Sequence, residues 1–542
     1  MKTEFLSLAE VPGMQRIFLD LCQRREQSLQ GGVADAGSPL ARMYGEWDPA
    51  KAQSSAIQPI SEAMLQLLAE QNPGQPAAVE RLRAGARTVV TGQQVVLFGG
   101  QAMILYKAAT AIAQAAAASA NGFPHQPVFW LASEDHDFAE IDHLVFPDRR
   151  GLTTLRYESA PSEAVPVGRL VLTEAIEPLV EQAQTLLGWS EAAEQLAAAY
   201  RPGVTLAEAF RSFYARVFAR FGLLTLDPAG RQAHCAGAPV LRAAIERADE
   251  LHAALLERNR ELEAAGYHAQ VAVGDRSSLL FLIDGSTGAR VALRRTAATA
   301  AQPQGAWHAG KTSLSTGELL GILDSEPERI SPSALLRPVF QDWILPNAAY
   351  VGGPAEVAYF AQTAVLYERI LGRLTPVLPR FSATVVDATT AALLARYNQS
   401  AERMLGAEVD SLQQRLAARA MPVETKQMLA SAGNALDGEL TALTAHLAAM
   451  DANLGRAALV SASKMRYQMN RLRRMAAHFQ LQRESSIARD AEAMVRMLSP
   501  RQAMQERVLA AASVLSLAGV DFLEQVVQAA GSLQPGHTLL WL

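Results

Sequence analysis

Apolar positions fall into two regimes along the chain. In the first, short apolar or β-branched runs alternate with longer stretches of helical spacing. Arg87-Thr-Val-Val-Thr91 is β-branched and ends in Gly92-Gln93-Gln94; beyond Gly99-Gly100 an Ala-rich helical pattern runs from about Ala102 to Ala120. Pro127-Val-Phe-Trp-Leu-Ala132 is apolar throughout, as a strand covered on both faces is, and stops at Ser133-Glu134-Asp135-His136-Asp137. Phe221-Gly-Leu-Leu-Thr-Leu226 stops at Asp227-Pro228. Ala348-Ala-Tyr-Val351 stops at Gly352-Gly353-Pro354 and opens into the helical AEVAYFAQTAVLYERIL. Strands alternating with helices predict an α/β fold with a parallel, doubly wound sheet. Ligands of such sheets bind beyond the carboxyl ends of the strands, where these polar residues fall.

In the second regime, residues 388–500, the chain is almost purely helical. Leu436, Leu440, Leu443, Leu447, Met450 and Leu454 are spaced 4, 3, 4, 3, 4, an a/d seam. Leu394, Tyr397, Ala401, Leu405, Leu412 and Leu416 keep a looser version, and Met421-Pro422 punctuates between them. An antiparallel helical pair is expected, able to serve as a dimerisation arm. The segmentation that follows is an N-terminal helical part (1–85), a discontinuous core (86–150, 201–235 and 331–387), two insertions (151–200 and 236–330), the helical region, and a segment (501–542) returning to the core. The second insertion contains LLFLIDGSTGARVALRR, whose alternation and DGSTG turn predict a hairpin.

Composition narrows the classes. The 542 residues carry 49 Lys+Arg against 54 Asp+Glu, a net charge of −5, which argues against a phosphate-wrapping nucleic-acid binder. Hydrophobic residues at 49% and charged residues at 19% exclude global disorder. Two cysteines, Cys22 and Cys235, are too few for a disulfide scaffold and fit a reducing cytoplasm. The opening MKTEFLSLAEVPGMQ is no signal peptide, and AATAIAQAAAASA reads as a soluble helix, so no membrane association is expected.

Four blocks together carry a resemblance: TGQQVVLFGGQAMILYKA (91–108), PVFWLASEDHDFAEIDHLVF (127–146), RPVFQDWILPNAAYVGGPAEVAYFAQ (337–362) and AMQERVLAAASVLSLAGVDF (503–522). In this order they resemble the bacillithiol biosynthesis family of cysteine-adding enzymes, BshC. The resemblance implies a Rossmann-like core with connecting-peptide insertions and a C-terminal α-helical coiled-coil domain. It also implies an amide-forming ligase that joins cysteine to glucosaminyl-malate. Neither cysteine lies in a matching block, so the sulfur of the reaction is expected to belong to the substrate.

The residues supply candidates for that chemistry. Glu134, Asp135, His136 and Asp137 form the densest titratable cluster, and three acids and an imidazole at one strand end call for a cation, an amine or a metal beside them. Asp135, His136 and Asp137 are the candidate catalytic set, one of them withdrawing a proton from the attacking amine; an Asp there also caps helices. Thr91, Gly92, Gln93 and Gln94 offer amides and backbone N–H groups at a helix entrance, and Lys107 and Glu134 stand near charged substrate groups. Arg337 is a partner for a malate carboxylate, with Gln341, Asn347, Gly352 and Gly353 around it, and Glu356 either caps its helix or orients a sugar hydroxyl. No metal site is expected, because His136 and His143 are accompanied by no CxxC or HExxH. Amide formation in water needs an activated carboxyl, so ATP and Mg2+ are expected on energetic grounds alone.

Two other readings compete. Gly305-Ala-Trp-His-Ala-Gly310-Lys311-Thr312 matches G-x-x-x-x-G-K-[ST], which raises a P-loop NTPase, although a phosphate-binding loop needs a buried strand before it and a helix starting at the lysine. The heptad seam raises a non-catalytic scaffold.

Overall fold

A computed structural model describes residues 2–11, 13–29, 39–54, 57–296, 306–519, 521–532 and 534–542. Its centre is a five-stranded parallel sheet of β1 (Arg87–Gln94), β2 (His125–Ala132), β3 (Leu224–Leu226), β4 (Asn347–Gly352) and β5 (Val377–Pro379), in the order β5-β4-β1-β2-β3. The predicted α/β class and Rossmann-like sheet are what the chain forms. Along β2, Val128 and Trp130 enter one apolar layer while Phe129 and Leu131 enter the other, each at most 1% exposed. The period of two thus buries both faces and fixes the register.

Six helices position the rest: α1 (Ala102–Ala120), α2 (Arg231–Glu246), α3 (Arg337–Ile344), α4 (Pro354–Leu371), α5 (Val423–Met450) and α6 (Ala452–Arg483). Gly99 and Gly100, with φ of +79° and +71°, turn the chain from β1 into α1; a Cβ at Gly99 would also lie 2.6 Å from the Phe213 ring. From β1 the chain moves one way to β2 and β3, and later returns to place β4 and β5 on the other side. The crevice between β1 and β4 is therefore the topological switch point.

Several expectations change. The N-terminal part is not purely helical: Lys2–Leu6 is a strand, antiparallel to His537–Trp541, which in turn runs parallel to Ala383–Val386. Only Leu6 of that strand is buried, so the run carries little apolar signal. The expected break at 235/236 falls inside α2, and that at 330/331 inside Ile330–Pro332, a strand that pairs with Ser277–Ile283 in the sheet of the second insertion. The hairpin Ser277–Ile283/Arg290–Thr296 forms where DGSTG predicts it, Asp284 accepting the N–H groups of Ser286 and Thr287.

The helical pairing also differs. α5 pairs with α6, and the chain reverses at Asp451, whose carboxylate accepts the N–H groups of Asn453 and Leu454 at 2.8 and 2.9 Å. Ala448 lies against Gly455 and Asp437 against Arg466, the pattern of an antiparallel hairpin. Pro422 starts α5 without reversing the chain: the preceding helix Val409–Ala420 packs along α6 as well. The heptad seam breaks at the turn. Leu440 is buried, whereas Leu443 and Met450 are 53% and 65% exposed.

The P-loop reading fails. Ala306–Ala309 and Thr312–Leu314 are antiparallel strands, and Gly310-Lys311 is the turn between them; Gly305 lies outside the described residues. The next helix starts only at Thr316, so no helix N-terminus meets the lysine.

Candidate active site

The carboxyl ends of the core strands open on one cleft of about 390 Å³. Of the residues proposed from sequence, Gly92, Gln93, Gln94, Lys107, Asp135, Arg337, Gly353 and Glu356 line it together.

Its floor is a saturated ion pair. Lys107 is buried in α1; its Nζ donates to Gly92 O and Gln93 Oε1, each at 2.8 Å, and pairs with Glu356. An ammonium has three N–H donors, and these three partners engage them all. Burial holds the Lys107 amine below the usual lysine value, and the attraction of Glu356 only partly offsets this. Glu356 also accepts the Tyr350 hydroxyl at 2.6 Å and the Gly353 N–H at 2.8 Å, closing the start of α4. Lys107 has no N–H left for a ligand, and three of the roughly four acceptor sites of Glu356 are taken. Lys107, expected as a substrate contact, lines the cleft with its donors turned to the protein itself and ties β1 to α4, a pairing visible only once the fold joins residues 107 and 356.

The arginines differ. Arg337 Nη1 donates to Gln341 Oε1 at 3.0 Å and Nη2 to the Tyr359 hydroxyl at 2.7 Å, and the guanidinium lies 5.7 Å from the Tyr350 ring centroid. Among the described residues two of its five N–H groups are engaged and no ion pair forms, so donors remain for an anion. Burial pushes the Tyr359 hydroxyl up to about 12, so it stays a neutral partner. Gln341 and Asn347 do not reach the cleft. They are buried behind Arg337, both donating to Asp342 Oδ1, at 3.1 and 2.8 Å. Arg380, just past β5, is held by the fully buried Glu506 at 2.5 Å. The neighbouring Arg507 lines the cleft, and among the described residues no hydrogen bond or ion pair holds its guanidinium.

The acids come from the end of β2. Asp135 accepts Gln94 Nε2 at 2.6 Å and the His136 backbone N–H at 2.7 Å, and a third of its side chain is exposed. Glu140 accepts Gln94 Nε2 at 2.9 Å. Asp137 takes the capping alternative: it accepts the Glu140 N–H at 3.3 Å and starts a short helix, Phe138–Ile141. Glu134 is buried beneath the loop, 3.2 Å from His234 Nε2 on α2. Burial works to raise its carboxyl, and His234 and Arg290 more than offset this, holding it below the usual carboxylate value. Thr91 is buried and donates to Val351 O at 2.9 Å, and Gly352 O accepts the Arg380 N–H at 2.9 Å; neither lines the cleft. His136 lies beside Asp135 but faces Arg290 of the second insertion, Nδ1 to Nη1 at 3.3 Å.

Sequence reasoning passed over Trp130, Glu140, Tyr350, Tyr359, Arg380 and Arg507, all lining the cleft. All but Arg380 stand inside the quoted blocks. Their signal was a polar tip among apolar neighbours, which reads equally as packing.

Residues 47–381 match the family model for the bacillithiol biosynthesis BshC N-terminal Rossmann-like domain, and residues 383–542 that for the BshC C-terminal coiled-coil domain. The chain belongs to the BshC family. It is 40% identical over 543 residues, 99% of each chain, to the protein of Koribacter versatilis (strain Ellin345) named "Putative cysteine ligase BshC". A protein of the same name from Solibacter usitatus (strain Ellin6076) is 35% identical over 517 residues, covering 95% of this chain and 94% of that one. The family places the chain in bacillithiol biosynthesis. The cleft draws on both matched regions, since Arg507 comes from the second. Among the described residues no helix is long and apolar enough to cross a membrane, and no group of three or more His, Cys, Asp or Glu is placed to hold a metal.

Proposed function

We propose that this protein joins the carboxyl of L-cysteine to the amine of glucosaminyl-malate, forming bacillithiol in the last step of its biosynthesis. The observation that carries the reading is the division of charge in the cleft. Arg337 and Arg507 keep free donors near the β4 and β5 ends, while Asp135 and Glu140 stand at the β2 end. A substrate with malate carboxylates at one end and an amine at the other fits that division. The amine nitrogen attacks the activated cysteine carbonyl, the N–C bond forms as the activating group leaves, and Asp135 takes the amine proton. Asp135 suits the role better than Glu356, three of whose acceptor sites are already taken by the protein's own donors.

ATP with Mg2+ is the proposed source of activation, as an adenylate or acyl phosphate of cysteine. The donors on Arg337 and Arg507 suit phosphate oxygens as well as carboxylates. The decisive experiment incubates the protein with cysteine, glucosaminyl-malate, ATP and Mg2+ and follows product by mass spectrometry. Bacillithiol is expected, and its formation should cease when ATP is omitted. Absence of product even with a preformed cysteinyl adenylate would overturn the reading.

We also propose a homodimer through the coiled coil, in the cytoplasm. Leu443, Met450, Leu459, Met475 and Phe479 of α5 and α6 are each more than half exposed, a run of apolar surface that a second copy would cover. Light scattering should give twice the 58.3 kDa chain mass.

A further inference from the structure

The acidic cluster at the end of β2 called for a cation, and the protein itself supplies one. Arg290 opens the strand Arg290–Thr296 of the second insertion and is 8% exposed. Its Nε donates to Ser331 Oγ at 3.0 Å and its Nη2 to Pro332 O at 2.9 Å, while the guanidinium carbon lies 3.7 Å from the Phe281 ring centroid. Its backbone N–H donates to Ala164 O of the first insertion at 2.8 Å. The guanidinium is therefore fixed from several sides, and its remaining face, Nη1, meets His136 Nδ1 at 3.3 Å. The His136 ring rests against Phe281, centroids 5.8 Å apart. The cluster's backbone is held as well. Val167 N–H donates to Asp135 O and Gly168 N–H to Ser133 O, at 2.6 and 2.8 Å, and a Cβ on Gly168 would collide with Ser133.

Arginine has no acceptor, so a hydrogen bond from Nη1 requires a lone pair on His136 Nδ1. The competing arrangement, Nδ1–H directed at Asp135, has the poorer geometry. That separation is 3.5 Å, and the same Asp135 oxygen already accepts the His136 backbone N–H at 2.7 Å.

We propose that Arg290 is a positioning residue that fixes His136 as the Nε2–H tautomer, so that His136 is a hydrogen-bond donor beside the cleft and Asp135 alone is the proton acceptor. This deepens, and for its catalytic consequence rests on, the amide-forming reading above. It also gives the second insertion a share in the active site: an element outside the parallel sheet sets the chemistry of a residue in the loop that follows β2.

The test reads the tautomer directly, without turnover. In full-length protein carrying 15N-imidazole histidine, the long-range 1H–15N pattern of His136 is assigned by its disappearance in His136→Gln. A protonated Nε2 and an unprotonated Nδ1 are expected. A protonated Nδ1 in the unsubstituted protein would overturn the proposal. Arg290→Met removes the donor and should release the ring into a mixture of tautomers, while Arg290→Lys keeps a donor and should retain the Nε2–H form. An unchanged pattern in Arg290→Met also overturns it. If Arg290→Met fails to fold, the unsubstituted protein and the Lys variant still decide. In the ligation assay, Arg290→Met should lower kcat by about 100-fold with little change in KM for the amine, as misplacement of a catalytic group does, and Lys should restore part of it. Loss of the tautomer bias with no ligation in any protein would sink the reaction assignment and leave the positioning role standing.

Discussion

Two cationic regions meet in the same cleft and differ in what their donors do. The Lys107 ammonium on the floor has every N–H engaged by its own protein, whereas the Arg507 guanidinium at the wall has none engaged among the described residues. Both are positive residues lining one cavity, and charge alone does not separate them. Counting donors does. A saturated cation holds the fold and an unsaturated one is available to a ligand, so the same substitution should produce opposite signatures in the two places.

The largest effect should follow from breaking the floor. Glu356→Ala leaves Lys107 as a buried charge without its partner and should cost about 3–5 kcal/mol of stability, read from the urea midpoint. A loss below about 1 kcal/mol would show that the pair is not a structural pin. Next comes a pH effect at another saturated site. His537 is buried between Ser382 Oγ and Thr384 Oγ1, at 2.8 and 2.9 Å, and burial lowers its imidazole to about 4 from 6.5. The unfolded chain then binds the extra proton first. Stability from this group is complete above about pH 6.5 and is lost as pH falls towards 4, at roughly 1.4 kcal/mol per pH unit. His537→Gln should flatten that slope in melts across the window; an unchanged slope would remove the assignment.

Arg507→Ala should leave the melting temperature within a degree or two. It should raise KM for glucosaminyl-malate by about 10- to 100-fold, the worth of charge-assisted hydrogen bonds. A large stability loss with unchanged KM would reverse the comparison. The smallest thermodynamic effect belongs to the coiled coil: Leu443→Ser, at a half-exposed position, should change monomer stability by less than about 0.5 kcal/mol. It should still weaken the dimer in sedimentation. Asp135→Asn should abolish most ligation without altering either measure.

The parallel sheet was legible because β2 is apolar on both faces and stops at a run of polar residues, a pattern few other elements produce. Its cleft was legible for the same reason: Gln94, Asp135 and Gly353 sit at strand ends. The saturation of Lys107 was not, because its partner lies 249 positions further along and meets it only through the crossover of β4. Pro422 was a misleading reversal signal, since a proline at the N-cap begins a helix without reversing the chain; the true reversal at Asp451 carries only a capping side chain. Arg290 stood in an insertion outside every matching block, so nothing in the local pattern connected it to His136.

The Arg380–Glu506 contact has a further consequence, for biosynthesis of the chain itself. Arg380 is translated 126 residues before the carboxylate that neutralises it, and the whole coiled coil is made in between. At roughly 5–20 residues per second, the core waits about 6–25 seconds with that arginine lacking its carboxylate. The parallel sheet can assemble on the ribosome during this interval, but its cleft lacks Arg507 and has an uncompensated cation at its edge. Completion of the pocket is thereby tied to emergence of the segment that follows the coiled coil, and a prematurely terminated chain would present the cleft without Arg507 and with Arg380 lacking its carboxylate.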